Sequence, residues 1–168
     1  MANNWEELVI SNFGKSSCQY NNSAFLQKLY ANKLVEYCSK QPIKPGLWVD
    51  LGSGTGFLAD ALEETNPHQE VIRVDGSQHM LQKHDSNKQT ELFDLSYGLP
   101  NFKESPTLIA SNFALHWLPK PHETLEEWFN ALAPQGWLAI ALPVKGSFPE
   151  WHEAAKNANL KIKINFVD

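Results

Sequence analysis

From residue 46 onward the sequence predicts an α/β fold, a doubly wound and mostly parallel sheet with helices on both faces. Three observations carry this. Short apolar runs alternate with segments of helical period. A glycine-rich turn, Gly52-Ser53-Gly54-Thr55-Gly56, follows the first apolar run and opens a helical segment. The run GWLAIALPV at 136–144 is nearly unbroken in apolar character, as in a strand covered on both faces.

Residues 1–42 read as an N-terminal helical segment and 46–168 as the core of the same single domain. Leu26, Leu29, Tyr30, Leu34 and Tyr37 recur at helical spacing within 23–41 and predict a core-facing stripe. Asn22 or Ser23 can cap that helix, and Pro42 ends it. Lys44-Pro45-Gly46 is a turn into the first strand, 47–51. A helix follows near 56–65. The second strand is 70–76, and a short helix at 77–84 takes Ser77 as its cap. Strands at 90–96 and 107–113 come next. Leu125, Trp128, Phe129 and Leu132 give a core-facing helix over 122–133, stopped by Pro134. The fifth strand is 136–144, a helix spans 149–158, and the alternating segment 160–168 reads as a half-exposed strand.

The totals exclude several functions. A net charge of −5 speaks against a dedicated nucleic-acid binder. No apolar run approaches the ~20 residues of a membrane span, and MANNWEELVI lacks the pattern of a signal peptide. Cys18 and Cys38 form neither a metal spacing nor a disulfide framework, so reduced thiols in a cytoplasmic protein are expected. His68, His79, His84, His122 and His152 show no ligand spacing either, so no metal site is expected.

The glycine turn narrows the ligand. A phosphate loop needs Gly-Lys-Ser/Thr after the turn, and Gly56-Phe57 stands there. A dinucleotide fingerprint wants a small residue where Phe57 lies. The remaining pattern is G-x-G-x-G with Asp50 two residues before it. An acid there repels a pyrophosphate but orients an ammonium, directly or through water, and S-adenosyl-L-methionine carries one. Asp75, at the end of the second strand, can accept hydrogen bonds from both ribose hydroxyls. Asp94, at the end of the third, can accept one from the adenine amino group, with Met80 and Leu95 packing on the ring. Each acid alone reads equally well as a turn or cap residue; the set of three is the stronger sign.

This set resembles class I S-adenosylmethionine-dependent methyltransferases over about residues 10–158. Phe13, Lys15, Ser16, Ser17, Tyr20, Ala24 and Gln27 are similar to the N-terminal pattern of the biotin-synthesis methyltransferases that esterify malonyl-acyl carrier protein. SNFALHWLPKP (111–121) and VKGSFPEWHEA (144–154) look like that family's strand exits. Trans-aconitate methyltransferases share the first of these. The resemblance implies a Rossmann-like methyltransferase sheet, S-adenosyl-L-methionine as donor and S-adenosyl-L-homocysteine as product. It implies donor contacts at Asp50, Gly52, Ser53, Gly54, Gly56, Asp75, Gly76, Met80, Asp94, Leu95, Asn112 and Phe113. Tyr20, His116 and Trp117 fall beside the transfer site. The bland alternatives are a core Trp117, a Tyr20 that only packs the leading helix and a neutral turn histidine at His116.

The implied acceptor is a malonyl thioester of acyl carrier protein or CoA, in biotin synthesis. A carboxylate is already ionised at pH 7 and needs no general base. The family usually continues with a lid and a closing strand pair, whereas this sequence stops at Asp168, so a shortened C-terminal end is expected. The alternatives are another small acid such as trans-aconitate as acceptor, and a module that binds the donor without turnover. Oligomeric state stays open.

Overall fold

The sheet has five parallel strands in the order β3-β2-β1-β4-β5. They are β1 Trp48–Leu51, β2 Val71–Asp75, β3 Thr90–Leu92, β4 Leu108–Asn112 and β5 Trp137–Ala141. The computed structural model describes residues 5–160 together with 164 and 166, and the strand expected over 160–168 falls largely outside the described residues. The helices are α1 Trp5–Ser23, α2 Phe25–Cys38, α3 Phe57–Thr65, α4 Gln78–Leu81, α5 Pro121–Ala131 and α6 Pro149–Asn157. Chain order reverses at β1, which pairs with β2 on one side and β4 on the other. In open parallel sheets a ligand crevice forms at that reversal, outside the carboxyl ends of the strands.

Alternation along the strands builds two cores. Trp48, Val71, Leu108 and Ala110 pack with Ala31, Val35 and Cys38 of α2 and Leu58, Ala59 and Leu62 of α3. Val49, Leu51, Val74 and Ile109 point the other way, toward Trp128 of α5 and the loops after β3 and β4. Asp50 and Arg73 are register partners on adjacent strands. They share the α3 face, and both are almost completely buried.

Several expectations are corrected. The 1–42 helical segment is two helices, broken at Ala24 (φ −84°, ψ 44°). Of the expected α2 stripe only Leu34 packs against the core. Leu26, Leu29, Tyr30 and Tyr37 are exposed, and the smaller Ala31, Val35 and Cys38 let α2 pack closely on α3. On α5, Trp128 is fully buried but Phe129 is exposed. Helix α4 is shorter than expected; Ser77 stands at its N-cap position as expected but makes no side-chain cap bond, and its own N–H donates to Asp75. The third strand ends at Leu92, and β5 is half-buried at the sheet's border among the described residues.

Candidate functional site

The glycine turn is fixed to the sheet before any ligand is considered. The N–H groups of Gly52 and Ser53 both donate to the Val74 carbonyl at 2.9 Å. Gly52 has φ +75°, and a Cβ there would collide with that of Ala114. Gly54 has φ +55° and faces open space, with nothing within 4 Å of where a Cβ would stand. That is backbone cleared for close approach. His84 braces the turn from behind, its Nε2 lying 3.0 Å from the Gly54 carbonyl oxygen.

A cleft of about 100 Å³ runs from this turn over the strand ends. It brings together Gly52, Gly54, Asp75, Gly76, Met80, Asp94, Leu95, Asn112 and Phe113 of the expected donor residues. The Asp75 carboxylate accepts from Gly54 N–H at 2.8 Å through Oδ2 and from Ser77 N–H at 2.8 Å through Oδ1. Burial raises its pKa. Asp94 Oδ1 accepts from Ser96 N–H at 2.9 Å, which caps the 3-10 turn Leu95–Tyr97. So the cap reading and the cleft position hold together at Asp75 and at Asp94.

Asp50, Ser53 and Gly56 lie elsewhere than in this cleft. Asp50 points to the α3 face because side chains alternate along β1, and its Oδ2 accepts from Ala59 N–H at 3.1 Å in the first turn of α3. Gly56 is the N-cap of α3. Asp50 and Ser53 line a second chamber of about 20 Å³, together with Tyr20, Gln27 and Asn112. That is room for about one water.

Three oxygens of residues lining the small chamber have no partner: Asp50 Oδ1 and Asn112 Oδ1, which only accept, and the Ser53 hydroxyl, which can do either. The Asn112 amide is oriented by its own Nδ2, which donates to the Gln27 carbonyl at 2.8 Å. Buried acceptors without donors are costly. The missing group is a donor, and an ammonium supplies three N–H bonds at once. Burial drives the Asp50 carboxyl up to about 7, against the pull of Arg73 and the Ala59 hydrogen bond. A cation in the chamber would restore its charge. The open Gly54 backbone, the two orphaned acceptors and the acids at the other end fit S-adenosyl-L-methionine.

A third space, about 420 Å³, adjoins both. Tyr20, His116 and Trp117 all border it, with Phe13, Phe113, Phe148 and Trp151. Phe13 stands edge-on to both Tyr20 and Trp117, and Tyr20 stacks on Phe57. Phe113 and Phe148 both have φ +58°, a conformation bulky residues resist; strain of this kind gathers at ligand sites. Burial, then the nearby Asp75, pushes the Tyr20 phenol up to about 12. Burial pushes His116 down to about 4, and its Nδ1 has no partner. No lysine or arginine stands among the described lining residues. The chain's one arginine, Arg73, is held by Glu63 and Asp60.

Sequence reasoning missed Val9 and Ile10 of α1, which border the main cleft beside Phe13. Ile10 Cδ1 lies 2.9 Å from where a Cβ on Gly76 would stand. A cleft of about 100 Å³ is below the ~300 Å³ of ordinary ligand sites, so these side chains must shift to admit a ligand. The signal available was weak: α1 carries Gly14 mid-helix and no clean apolar stripe. For His84 the sequence offers only the absence of a metal-ligand spacing, and nothing in it ties the ring to Gly54. Among the described residues there is no cluster of metal-binding side chains and no helix long and apolar enough to cross a membrane.

A family model described as a methyltransferase domain matches residues 23–166. The chain is 36% identical over 98 residues to a trans-aconitate 2-methyltransferase of Variovorax paradoxus (strain S110), covering 56% of this chain and 38% of that protein. It is 30% identical over 165 residues to a malonyl-[acyl-carrier protein] O-methyltransferase of Alcanivorax borkumensis, covering 94% of this chain and 55% of that protein. It therefore spans roughly half or less of these relatives' length. The solved DhpI-SAM-HEP complex shares the fold, with a TM-score of 0.69 at 16% identity, over 95% of this chain and 73% of that one.

Proposed function

The chain belongs to the methyltransferase domain family, and from that premise we propose that it methylates a carboxylate with S-adenosyl-L-methionine as donor. The donor supplies an electrophilic methyl on a positively charged sulfur. Asp50 and Asn112 receive its ammonium, and the Gly52–Gly54 backbone admits its methionyl end. Asp75 holds the ribose and Asp94 the adenine amino group, with Met80 and Leu95 against the ring. Tyr20, which borders all three spaces, stands where the methyl crosses to the acceptor.

The observation that carries the acceptor class is the chemistry of the third space. Its titratable groups among the described residues are a phenol at about 12 and an imidazole at about 4. Near pH 7 the first keeps its proton and the second is too weak a base to take one. The nucleophile must then arrive with a free electron pair and need no base, as a carboxylate does. In transfer an O–C bond forms as the C–S bond breaks, the electron pair stays on sulfur, and both charges vanish. An aromatic, water-poor wall favours that cancellation.

A malonyl thioester, as on acyl carrier protein or CoA in biotin synthesis, is the specific acceptor proposed. The malonyl relative, aligned with 94% of this chain, supports it. Trans-aconitate is the competing acceptor, favoured by the more identical but shorter alignment. The test is methyl ester formation by the purified protein on malonyl-CoA, malonyl-carrier protein and trans-aconitate. Ester on a malonyl thioester and little on trans-aconitate is the expected result. Bound donor with no ester on these or any other carboxylate acceptor favours the binding module instead.

A further inference from the structure

We infer that Gln27 holds the acceptor carboxylate against the line of methyl transfer, an inference that rests on the carboxylate reading above. Gln27 and Tyr20 are the two described residues bordering both the small ammonium chamber and the aromatic acceptor space. The wall between those spaces stands between the donor's ammonium and the acceptor anion, with the sulfonium one methionyl chain further along beside Tyr20, which also borders the main cleft. The phenol of Tyr20 sits on a ring packed against Phe13 and Phe57. Gln27 has a backbone anchored by the Asn112 amide, and its own side-chain amide has no hydrogen-bond partner among the described residues.

The chemistry of the amide matches the wall. Nε2 carries two donors for a carboxylate, and Oε1 is an acceptor for an ammonium. One neutral side chain can thus face an anion on one side and a cation on the other. With no lysine or arginine among the described lining residues, a neutral donor is what the acceptor space offers a carboxylate. A neutral donor positions the nucleophile without a fixed positive charge that would deepen its ground state and oppose charge cancellation.

Two substitutions separate the ends of the amide. Gln27→Leu removes both, and Gln27→Glu keeps an acceptor toward the ammonium while placing a negative charge toward the acceptor carboxylate. Donor affinity is read by calorimetry and ester formation on malonyl-CoA by steady-state kinetics. For Gln27→Leu the acceptor KM rises about tenfold, the scale of one hydrogen bond to a charged group. For Gln27→Glu, kcat/KM for the acceptor falls by about 100-fold or more while the donor binds as tightly or more tightly. Opposite movements of donor and acceptor are not produced by misfolding. Wild-type acceptor kinetics in both variants overturn the inference, and so does a parallel loss of donor and acceptor binding. If the wild-type protein makes no ester on any carboxylate, the carboxylate reading itself fails and the role of Gln27 falls with it.

Discussion

Asp50 and Arg73 sit side by side on β1 and β2, face the same helix and are equally hidden from water, yet their surroundings are opposite. Arg73 is enclosed by partners. Its Nη atoms meet both Glu63 oxygens at 2.9 Å and Asp60 at 2.7 Å, and Lys88 closes on Glu63 at 2.6 Å. Burial opposes ionisation of Glu63, but the Arg73 and Lys88 hydrogen bonds win and hold it down at about 2. Of the guanidinium, Nε alone has no partner. Asp50 receives one N–H bond, keeps a bare oxygen and titrates near 7. A polar cluster that completes itself holds the fold, and one left incomplete awaits a ligand.

The completed side is tested by Arg73→Met, the largest effect expected. Removing the guanidinium leaves Glu63 facing burial with only Lys88 and the Val71 N–H in support. Breaking one side of a buried ion cluster costs about 3–5 kcal/mol, read as a lower unfolding free energy in urea. A loss under about 1 kcal/mol would show that the cluster is not structural and remove one half of the contrast.

Asp75 tests the incomplete side. Asp75→Ala deletes the proposed ribose acceptor and the bond to Gly54 N–H, and weakens donor binding by about 1–3 kcal/mol in calorimetry. Unchanged affinity would refute its ribose role. This acid was legible in sequence because its chemistry is local: a carboxylate directly after an apolar run, followed by Gly76. The glycine turn was legible for the same reason, and strand–helix alternation sufficed for the sheet. The exposure of Tyr37 and Phe129 was not. Which flank of a helix is buried depends on the neighbour it packs against, and helical period alone does not name that neighbour. The glycine motif places Asp50 beside the ligand, but strand alternation sends it to the α3 side, where it reaches the proposed donor end through a chamber of one water's size.

Asp50 sharpens the contrast through pH. Free of ligand, its carboxyl titrates at about 7; facing an ammonium it titrates lower. Binding then releases a proton, so donor affinity is full above pH 7 and falls as pH drops below it, by up to about tenfold per unit. Asp50→Asn keeps an oxygen for Ala59 N–H, loses the charge, and gives a weaker affinity that no longer varies between pH 5.5 and 7, below the range in which the donor's own ammonium titrates. An equally steep profile in the variant would assign the titration to another group.

The smallest effect is expected at His84, where the two sides meet. Its ring lies within the influence of Arg73, Asp60 and Glu63, yet Nε2 reaches the Gly54 carbonyl of the ligand turn. Burial lowers its pKa, and Nδ1 is buried without a partner, so the ring is neutral with its proton on Nε2. Gly54 spans a link from that ring to Asp75: its carbonyl accepts from His84 and its N–H donates to the carboxylate. His84→Phe keeps a ring and removes the donor, freeing the Gly54–Thr55 peptide to rotate. Donor affinity drops by about 1 kcal/mol, roughly fivefold, with the acceptor KM unmoved, and His84→Gln recovers part of it by supplying an amide N–H. If the phenylalanine variant bound donor like the wild type, the turn would owe its shape to Gly52, Val74 and Asp75 alone, and His84 would belong with Arg73 on the completed side.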